Sequence, residues 1–145
     1  MSETTENTTI NFQIEGIELL EYSVNSPTIK LPENIQYRFD LSIEHKISTE
    51  LKKVFVVTSF KILNDELKLN LGHAKISCIY AFPDVESFLS KENNKVELPQ
   101  FLIEILNSIS LSTSRGVMFT LFRGTFLHNV ILPIVDPKTF TKNEI

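Results

Sequence analysis

The residue types that usually carry enzyme chemistry are few in this chain and do not cluster. The three histidines, His45, His73 and His128, are scattered, and none has a second ligand at metal-binding spacing. Cys78 lies on the apolar phase of a predicted strand, which favours a buried, unreactive thiol over a nucleophile. His45 also falls on the apolar phase of a strand and is expected to be a half-buried structural residue. We therefore predict no catalytic site, no metal and no cofactor.

The short motifs of nucleotide-binding and hydrolytic enzymes are also missing from the sequence. It contains no P-loop, no G-x-G-x-x-G and no G-x-S-x-G. Residues 112–116, Ser-Thr-Ser-Arg-Gly, could cradle an anion, but small residues that permit close helix packing are the better interpretation. A binding or assembly protein is predicted in place of an enzyme.

The most unusual stretch is residues 123–140, which reads RGTFLHNVILPIVDPKTF. Gly124 interrupts the preceding pattern, and Pro133 and Pro137 then punctuate a run of large apolar residues. Chain ends are normally polar and poorly ordered. So much apolar, non-helical chain near the end raises the question of what it covers or binds.

Length and composition indicate one ordinary globular domain. The chain has 145 residues, 42% hydrophobic and 22% charged. A net charge of −4 argues against nucleic-acid binding, which needs a basic face. We expect residues 1–9, which are polar and acidic, to be disordered, and residues 10–145 to form a single domain. One cysteine, no targeting sequence and no apolar stretch long enough to cross a bilayer indicate a cytoplasmic protein.

The apolar pattern predicts four long strands, of which the third is apolar on both faces around residues 54–57. They are expected at residues 10–24, 35–47, 51–63 and 66–82, and the second has an apolar residue at every odd position. The apolar phase slips at Glu15-Gly16 and again at Gly72, which predicts a β-bulge at each place. The linkers from residue 35 onward are too short for parallel crossovers, so the sheet is predicted to be antiparallel.

Residues 100–122 have the apolar spacing of a long helix. Only Glu104 and Arg115 are charged in this stretch, whereas a helix exposed on one side should show more charge. The fold class is therefore α+β, a four-stranded antiparallel sheet of long strands with one long helix packed on it. We expect the helix to be covered on two sides, clamped between the sheets of different subunits. The alternative is that the C-terminal segment covers the second side within one chain.

Two motifs near the ends of the chain carry a family resemblance. Residues 123–126 are Arg-Gly-Thr-Phe, Pro133 follows seven residues after the Phe, and the aromatic Phe140 follows seven residues later. Residues 12–27, FQIEGIELLEYSVNSP, have the pattern of a first strand and its exit into a crossover. In these motifs, and in the order strand, crossover, three hairpin-linked strands, long helix and proline-bearing loop, the chain resembles the SecB export-chaperone family.

The resemblance implies an ATP-independent holdase, a homotetramer built as a dimer of dimers, that binds unfolded or precursor polypeptides. In the family the long helices lie between the sheets, and apolar grooves hold the clients. The corresponding residues are Ile29 and Leu31 in the crossover, Tyr37 and Phe39 in the second strand, Phe126, Leu132 and Ile134 in the loop, and Phe140 beyond it. Tyr37 and Phe39 could equally belong to the core.

The resemblance leaves other functions open. The family's second helix and acidic tail are mostly missing, which counts against docking to the translocation motor, and some family members instead protect an antitoxin. A dedicated antitoxin chaperone is therefore one alternative to an export chaperone. An oligomeric scaffold without a client groove is another. A small-ligand enzyme would need a polar, convergent pocket, for which the sequence offers no residues.

Overall fold

The alternating stretches of the sequence form the four strands of one antiparallel sheet. The computed structural model describes residues 11–136, in which β1 spans Gln13–Val24, β2 Arg38–Ser48, β3 Lys53–Asn64 and β4 Leu69–Ala81. The strand order is β1-β4-β3-β2, and each neighbouring pair is antiparallel. The predicted sheet is confirmed. The predictions for residues 1–9 and for Phe140 lie outside the described residues.

The two strands at the edges of the sheet are joined by the crossover, residues 25–37. Tight hairpins join β2 to β3 and β3 to β4, so the crossover alone must carry the chain from one edge to the other. Side-chain and backbone hydrogen bonds fix both of its ends. The Asn25 N–H donates to the carbonyl of Leu71 over 2.9 Å, and the Asn64 side-chain amide donates to the carbonyl of Gln36 over 2.9 Å.

Three β-bulges interrupt the pairing of the strands. The extra residue at Glu15 lies where the sequence phase slips. In β4 the residue without a direct partner on β3 is Leu71, next to the predicted position Gly72. A bulge at Leu20 was not predicted, because the two adjacent leucines there do not reveal which one leaves the register.

A short 3-10 helix, Val85–Phe88, and a long helix, α1 (Gln100–Leu121), follow the sheet. Pro99 precedes the helix with extended backbone, and its carbonyl accepts the N–H groups of Leu102 and Ile103. The helix continues through Gly116, whose neighbourhood is open. None of the helices within residues 11–136 has both the length and the apolar character needed to cross a membrane.

The core between α1 and the sheet consists of two apolar clusters. The proximal core lies under the first part of the helix and contains the buried residues Ile43, Val54, Val56, Cys78, Tyr80, Phe82, Val85, Leu102, Leu106 and Leu111. The distal core lies under the end of the helix and contains Phe60, Ile62, Leu71, Ala74, Ile76, Met118, Phe122, Leu127, Val130 and Leu132.

Polar side chains separate the two clusters on the inner face of α1. Asn107, Ser110 and Ser114 are fully buried there, and Thr58 is fully buried on β3. The hydroxyls of Ser110 and Tyr80 are hydrogen-bonded over 2.8 Å, whereas those of Ser114 and Thr58 have no partner within residues 11–136. Buried hydroxyls without partners destabilise a fold, so this seam is the weakest part of the helix–sheet contact.

Burial of Tyr80 predicts a loss of stability at alkaline pH. Burial raises the pKa of Tyr80 to about 12 in the folded protein, against about 10 in an unfolded chain. Between these values the unfolded chain loses the proton while the folded protein keeps it, so the free energy of unfolding falls as pH rises. We expect Tyr80→Phe to remove this part of the pH dependence, measured by urea unfolding at several pH values from 7 to 12.

Tyr22→Phe removes an exposed hydroxyl and is the matched control. It should leave the alkaline slope unchanged. If wild type and Tyr80→Phe lose stability in parallel between pH 10 and 12, Tyr80 is not the group responsible.

Candidate functional site

The chain after α1, residues 123–136, contains three of the eight predicted site residues, Phe126, Leu132 and Ile134, and we call it the strap. Gly124 has a φ of +82°, a left-handed conformation that ends the helix and that glycine adopts readily. The Thr125 hydroxyl donates to the carbonyl of Phe122 over 2.6 Å and accepts the N–H of Leu127 over 3.1 Å. From residue 130 onward the strap has no regular secondary structure. It is therefore an irregular segment attached to the helix by a defined turn.

Three apolar side chains anchor the strap in the distal core. Leu127, Val130 and Leu132 are buried there beside Met118 and Phe122 of the helix end. Leu127 and Val130 were not among the predicted site residues. Leu127 lies five residues before Leu132, which is neither a helical nor a strand spacing, and the two-residue spacing of Val130 and Leu132 is that of a strand, which this segment does not form, so periodicity did not identify them.

The structure brings four of the eight predicted site residues to one place. Leu132 is a member of the distal core, and Tyr37, Phe39 and Phe126 are half-buried against it. Residues from the crossover end, the second strand and the strap thus meet at one end of the sheet. Tyr37 and Phe39 contribute to the core and keep part of each ring exposed.

The other described residues of the predicted site, Ile29, Leu31 and Ile134, are not among those packed on the distal core. Ile29 is half exposed and Leu31 is half-buried, both in the crossover. Ile134 is 94% exposed, only two residues after the buried Leu132. Phe140 lies outside the described residues. The strap also exposes Ile131, which the sequence analysis did not select.

Gly72 on β4 allows the strap to lie close to the sheet. A Cβ atom at this position would stand 2.9 Å from the carbonyl oxygen of Ser23 and 3.0 Å from Cδ1 of Leu127. No real Cβ contact with a backbone atom is that short, so only glycine fits. The glycine therefore serves both the pairing of β1 with β4 and the burial of the strap's first anchor.

A second apolar surface lies on α1 and β1, and we call it the open surface. On β1 the residues opposite buried β4 residues face the same side of the sheet as the helix, yet they remain exposed. The surface consists of Ile14, Ile17, Leu19 and Tyr22 of β1 and Phe101, Ile105 and Phe119 of α1. The scarcity of charge in residues 100–122 indicated the part of this surface that lies on α1. Nothing in the sequence showed that β1 would remain uncovered.

A groove of about 420 Å³ lies where the two parts of the open surface meet. Ile17 forms one side, and the other side consists of Thr113, Gly116, Val117, Thr120 and Leu121. A Cβ atom at Gly116 would meet nothing within 4 Å. Within residues 11–136, Gly116 therefore does not serve packing, and the strap does not cover this side of the helix.

Charged residues at the start of β2 lie on the opposite face from Tyr37 and Phe39. The Nε of Arg38 donates to Asp65 over 2.8 Å, and its guanidinium also pairs with Asp40. The hydrogen bond from Arg38 holds the pKa of Asp65 below its ordinary value. All three side chains are about half exposed or more, so these ion pairs add little to the stability of the fold.

The histidines and the cysteine serve the fold. The Nε2 of His45 is hydrogen-bonded to Oδ1 of Asn107 over 2.6 Å, which links β2 to α1. The Nδ1 of His73 is hydrogen-bonded to the Ser23 hydroxyl on the outer face of the sheet, and His128 contacts a carbonyl within the strap. Burial raises the pKa of the Cys78 thiol, which disfavours the reactive thiolate. Residues 11–136 contain no group of side chains arranged to hold a metal ion.

Comparison with solved structures finds the same architecture in a chaperone. The SecB-like chaperone Rv1957 of Mycobacterium tuberculosis, solved in complex with a ChAD peptide from the HigA1 antitoxin Rv1956, superposes with a TM-score of 0.59. The sequence identity is 13%, and the alignment covers 86% of this chain and 90% of that chain. The fold is SecB-like.

Other comparisons add little to this result. A protein of unknown function from Streptococcus agalactiae aligns at 12% identity over 87% of this chain and 99% of that chain, with a TM-score of 0.46 that is too low to support an inference. No protein-family model matches the chain, and no curated protein matches its sequence. The likeness to Rv1957 is therefore one of fold.

The close approach at Gly72 gives a test of how the strap is held. Gly72→Ala should lower the free energy of unfolding by roughly 1–3 kcal/mol, because the new methyl group must displace either the Ser23 backbone or Leu127. Chemical denaturation of the variant and the wild type measures this difference.

Gly16→Ala is the matched control, since its Cβ would meet only the flexible side chain of Ile79 at 3.3 Å. Gly16→Ala should lower the free energy of unfolding by clearly less than Gly72→Ala. Equal stability of Gly72→Ala and wild type would contradict the described seating of Leu127.

Proposed function

We propose that this protein is an ATP-independent chaperone, a holdase, that binds unfolded or precursor polypeptides through apolar side chains. The observation that carries the proposal is the meeting of strap, β2 and crossover residues around the distal core, in a fold shared with a SecB-like chaperone. Burial of apolar groups is non-directional, so such a surface can accept many sequences. The role is non-enzymatic, and the site needs no cofactor.

The proposed client site contains a buried residue that holds the strap and more exposed residues that can contact the client. Leu132, with its side chain buried in the distal core, holds the strap in place. Ile134 and the half-buried rings of Phe126, Tyr37 and Phe39 can touch a client. Ile29 and Leu31 of the crossover, together with Phe140, complete the proposed site. A segment without regular secondary structure can also adapt its shape to different clients.

We further propose that the chain assembles into a homotetramer, a dimer of dimers. The open surface supports this, because exposed apolar patches of this kind mark interaction sites. β1 is also an edge strand, which pairs with β4 on one side and has no neighbour on the other within residues 11–136. The outer face of α1 between Phe101 and Phe119 carries small residues, with Ser108, Ser112 and Gly116 one turn apart. Small residues allow another subunit to approach the helix backbone closely.

A dedicated antitoxin chaperone is the second candidate function. It is favoured by one observation, namely that the chaperone with the same fold was solved with an antitoxin peptide. Genes next to this one would distinguish the two, since an antitoxin chaperone should be encoded beside its toxin and antitoxin. A cytoplasmic location is proposed for either function, and the single cysteine supports it.

The holdase proposal predicts that the protein suppresses aggregation of a denatured protein at near-stoichiometric amounts and without nucleotide. Light scattering during dilution of the client from denaturant measures this. Ile134→Asp and Ile29→Asp should each weaken binding of reduced, carboxymethylated α-lactalbumin by roughly tenfold, the loss expected for one buried isoleucine contact. Both side chains are exposed, so the variants should unfold at the wild-type denaturant concentration.

Leu132→Asp is the contrasting variant, because it places a charge in the distal core and should destabilise the fold. Aggregation that proceeds unchanged in the presence of the wild type would overturn the holdase proposal. Client binding that survives both isoleucine changes would place the site elsewhere on the molecule.

The assembly proposal is tested at Gly116. Gly116→Arg should reduce the native mass measured by light scattering and leave the circular dichroism spectrum unchanged, because within residues 11–136 the new Cβ would meet no atom within 4 Å beyond the backbone of the helix itself. Ser42→Arg adds the same charge on the outer face of β2 and is the control.

Gly116→Ala sharpens the result. At an exposed position in a helix interior, replacing glycine by alanine raises the free energy of unfolding by about 0.5–1 kcal/mol. At a position covered by another subunit, we expect no such increase. A wild-type protein that is monomeric in solution would contradict the proposed tetramer.

A further inference from the structure

Besides its apolar contacts with the end of α1, the strap is hydrogen-bonded to the helix through the side chain of Arg115. Glu104 and Arg115 are the charged residues of the helix Gln100–Leu121. The Nε of Arg115 donates to the carbonyl oxygen of Leu132 over 2.8 Å, and a terminal nitrogen donates to the carbonyl oxygen of Pro133 over 3.0 Å. The fork of one guanidinium thus binds two successive carbonyls of the strap.

These two carbonyls lie where the strap changes from buried to exposed. Leu132 is 1% exposed and packs in the distal core, whereas Ile134 is fully in solvent. The next residue, Val135, packs against the proximal core. The strap therefore runs from one core cluster to the other, and Arg115 holds it at the point between them.

An extended segment with an exposed isoleucine needs such a fastening. Leu132 and Val135 fix the strap through non-directional apolar contacts, which would allow the backbone to rotate or to slide by a residue. Two charge-assisted hydrogen bonds fix both position and orientation, because each requires a defined direction of the carbonyl group. With them in place, Ile134 is exposed to solvent between the buried Leu132 and the half-buried Val135.

We propose that Arg115 is a positioning residue for the client site, a clamp that keeps Leu132 buried and Ile134 presented to the client. This inference rests on the proposed holdase function. Holding the strap in its binding conformation before the client arrives lowers the ordering cost of binding. Loss of the clamp therefore increases the rate of client dissociation, because affinity differences between related complexes come mainly from the dissociation rate.

The test compares Arg115→Gln, Arg115→Lys and Arg123→Gln in the full chain. Arg123 lies at the start of the strap, and its side chain has no bonding partner within residues 11–136, so its loss removes the same charge without the clamp. Lysine at position 115 keeps the charge but cannot reproduce the planar two-carbonyl contact, so it should restore the wild-type behaviour only in part.

Two readouts separate the clamp from the function. Hydrogen exchange of peptides covering residues 123–136 reports the strap, and it should become about tenfold faster in Arg115→Gln, as expected for losing hydrogen bonds to a charged group. Dissociation of reduced, carboxymethylated α-lactalbumin should also become about tenfold faster. Arg123→Gln should match the wild type in both measurements.

The possible failures are distinct. Unchanged strap exchange in Arg115→Gln overturns the clamp, whatever the client does. Faster exchange with unchanged client dissociation overturns its role in client binding. Failure of the wild type to bind any unfolded polypeptide overturns the proposed function, and with it the role assigned to Arg115, even where the exchange data support the clamp as a feature of the fold.

Discussion

A single α-helix is too narrow to cover a four-stranded sheet, and most features of this molecule follow from that mismatch. Four strands place the axes of the two edge strands roughly 14 Å apart, whereas a helix with its side chains is about 10–12 Å wide. The inner face of α1 is buried mainly over β3 and β4, the two central strands. The apolar residues of the edge strands are left for other parts of the chain, or for other chains, to cover.

The strap covers part of the remaining width. Leu127, Val130 and Leu132 extend the distal core beyond the end of the helix, where they meet the half-buried rings of Tyr37 and Phe39. The strap follows this border without regular secondary structure from residue 130 onward. The consequence is a border of the core formed by loosely structured chain, which is the setting we propose for binding unfolded polypeptides.

The opposite border has no such cover within the described chain. The helix-facing side of β1 exposes large apolar residues along most of its length, and the outer side of α1 exposes Phe101, Ile105 and Phe119 at the two ends of a stretch of small residues. Exposed apolar surface of this extent is costly for a soluble monomer and is normally buried by association. The polar seam at Asn107, Ser110 and Ser114 adds a further effect, since it limits how strongly the helix is held by the sheet alone. A second subunit on the open surface would offset both, which agrees with the proposed assembly.

The sequence by itself determined the elements and their faces. The apolar pattern predicted the four strands, the phase slips located the bulges at Glu15 and beside Gly72, and the apolar spacing of residues 100–122, with only Glu104 and Arg115 charged, predicted the helix and its two apolar sides. These features are local, because each depends only on the spacing of residues along one segment. The terminal motifs added the expectation of a SecB-like fold, which the comparison of structures confirms.

Tertiary structure decided which apolar residues are covered. Leu132 and Ile134 are both large apolar residues of the strap, two positions apart, yet one is buried and the other is fully exposed. The same period places Ile17 of β1 and Ile76 of β4 on one face, and only Ile76 lies under the helix. Periodicity assigns a residue to a face, but burial depends on which element packs over that face. Which element packs over a face depends on the width of the helix, the path of the strap and the two carbonyl groups bound by Arg115. These are contacts between residues distant in the sequence, so local spacing does not reveal them.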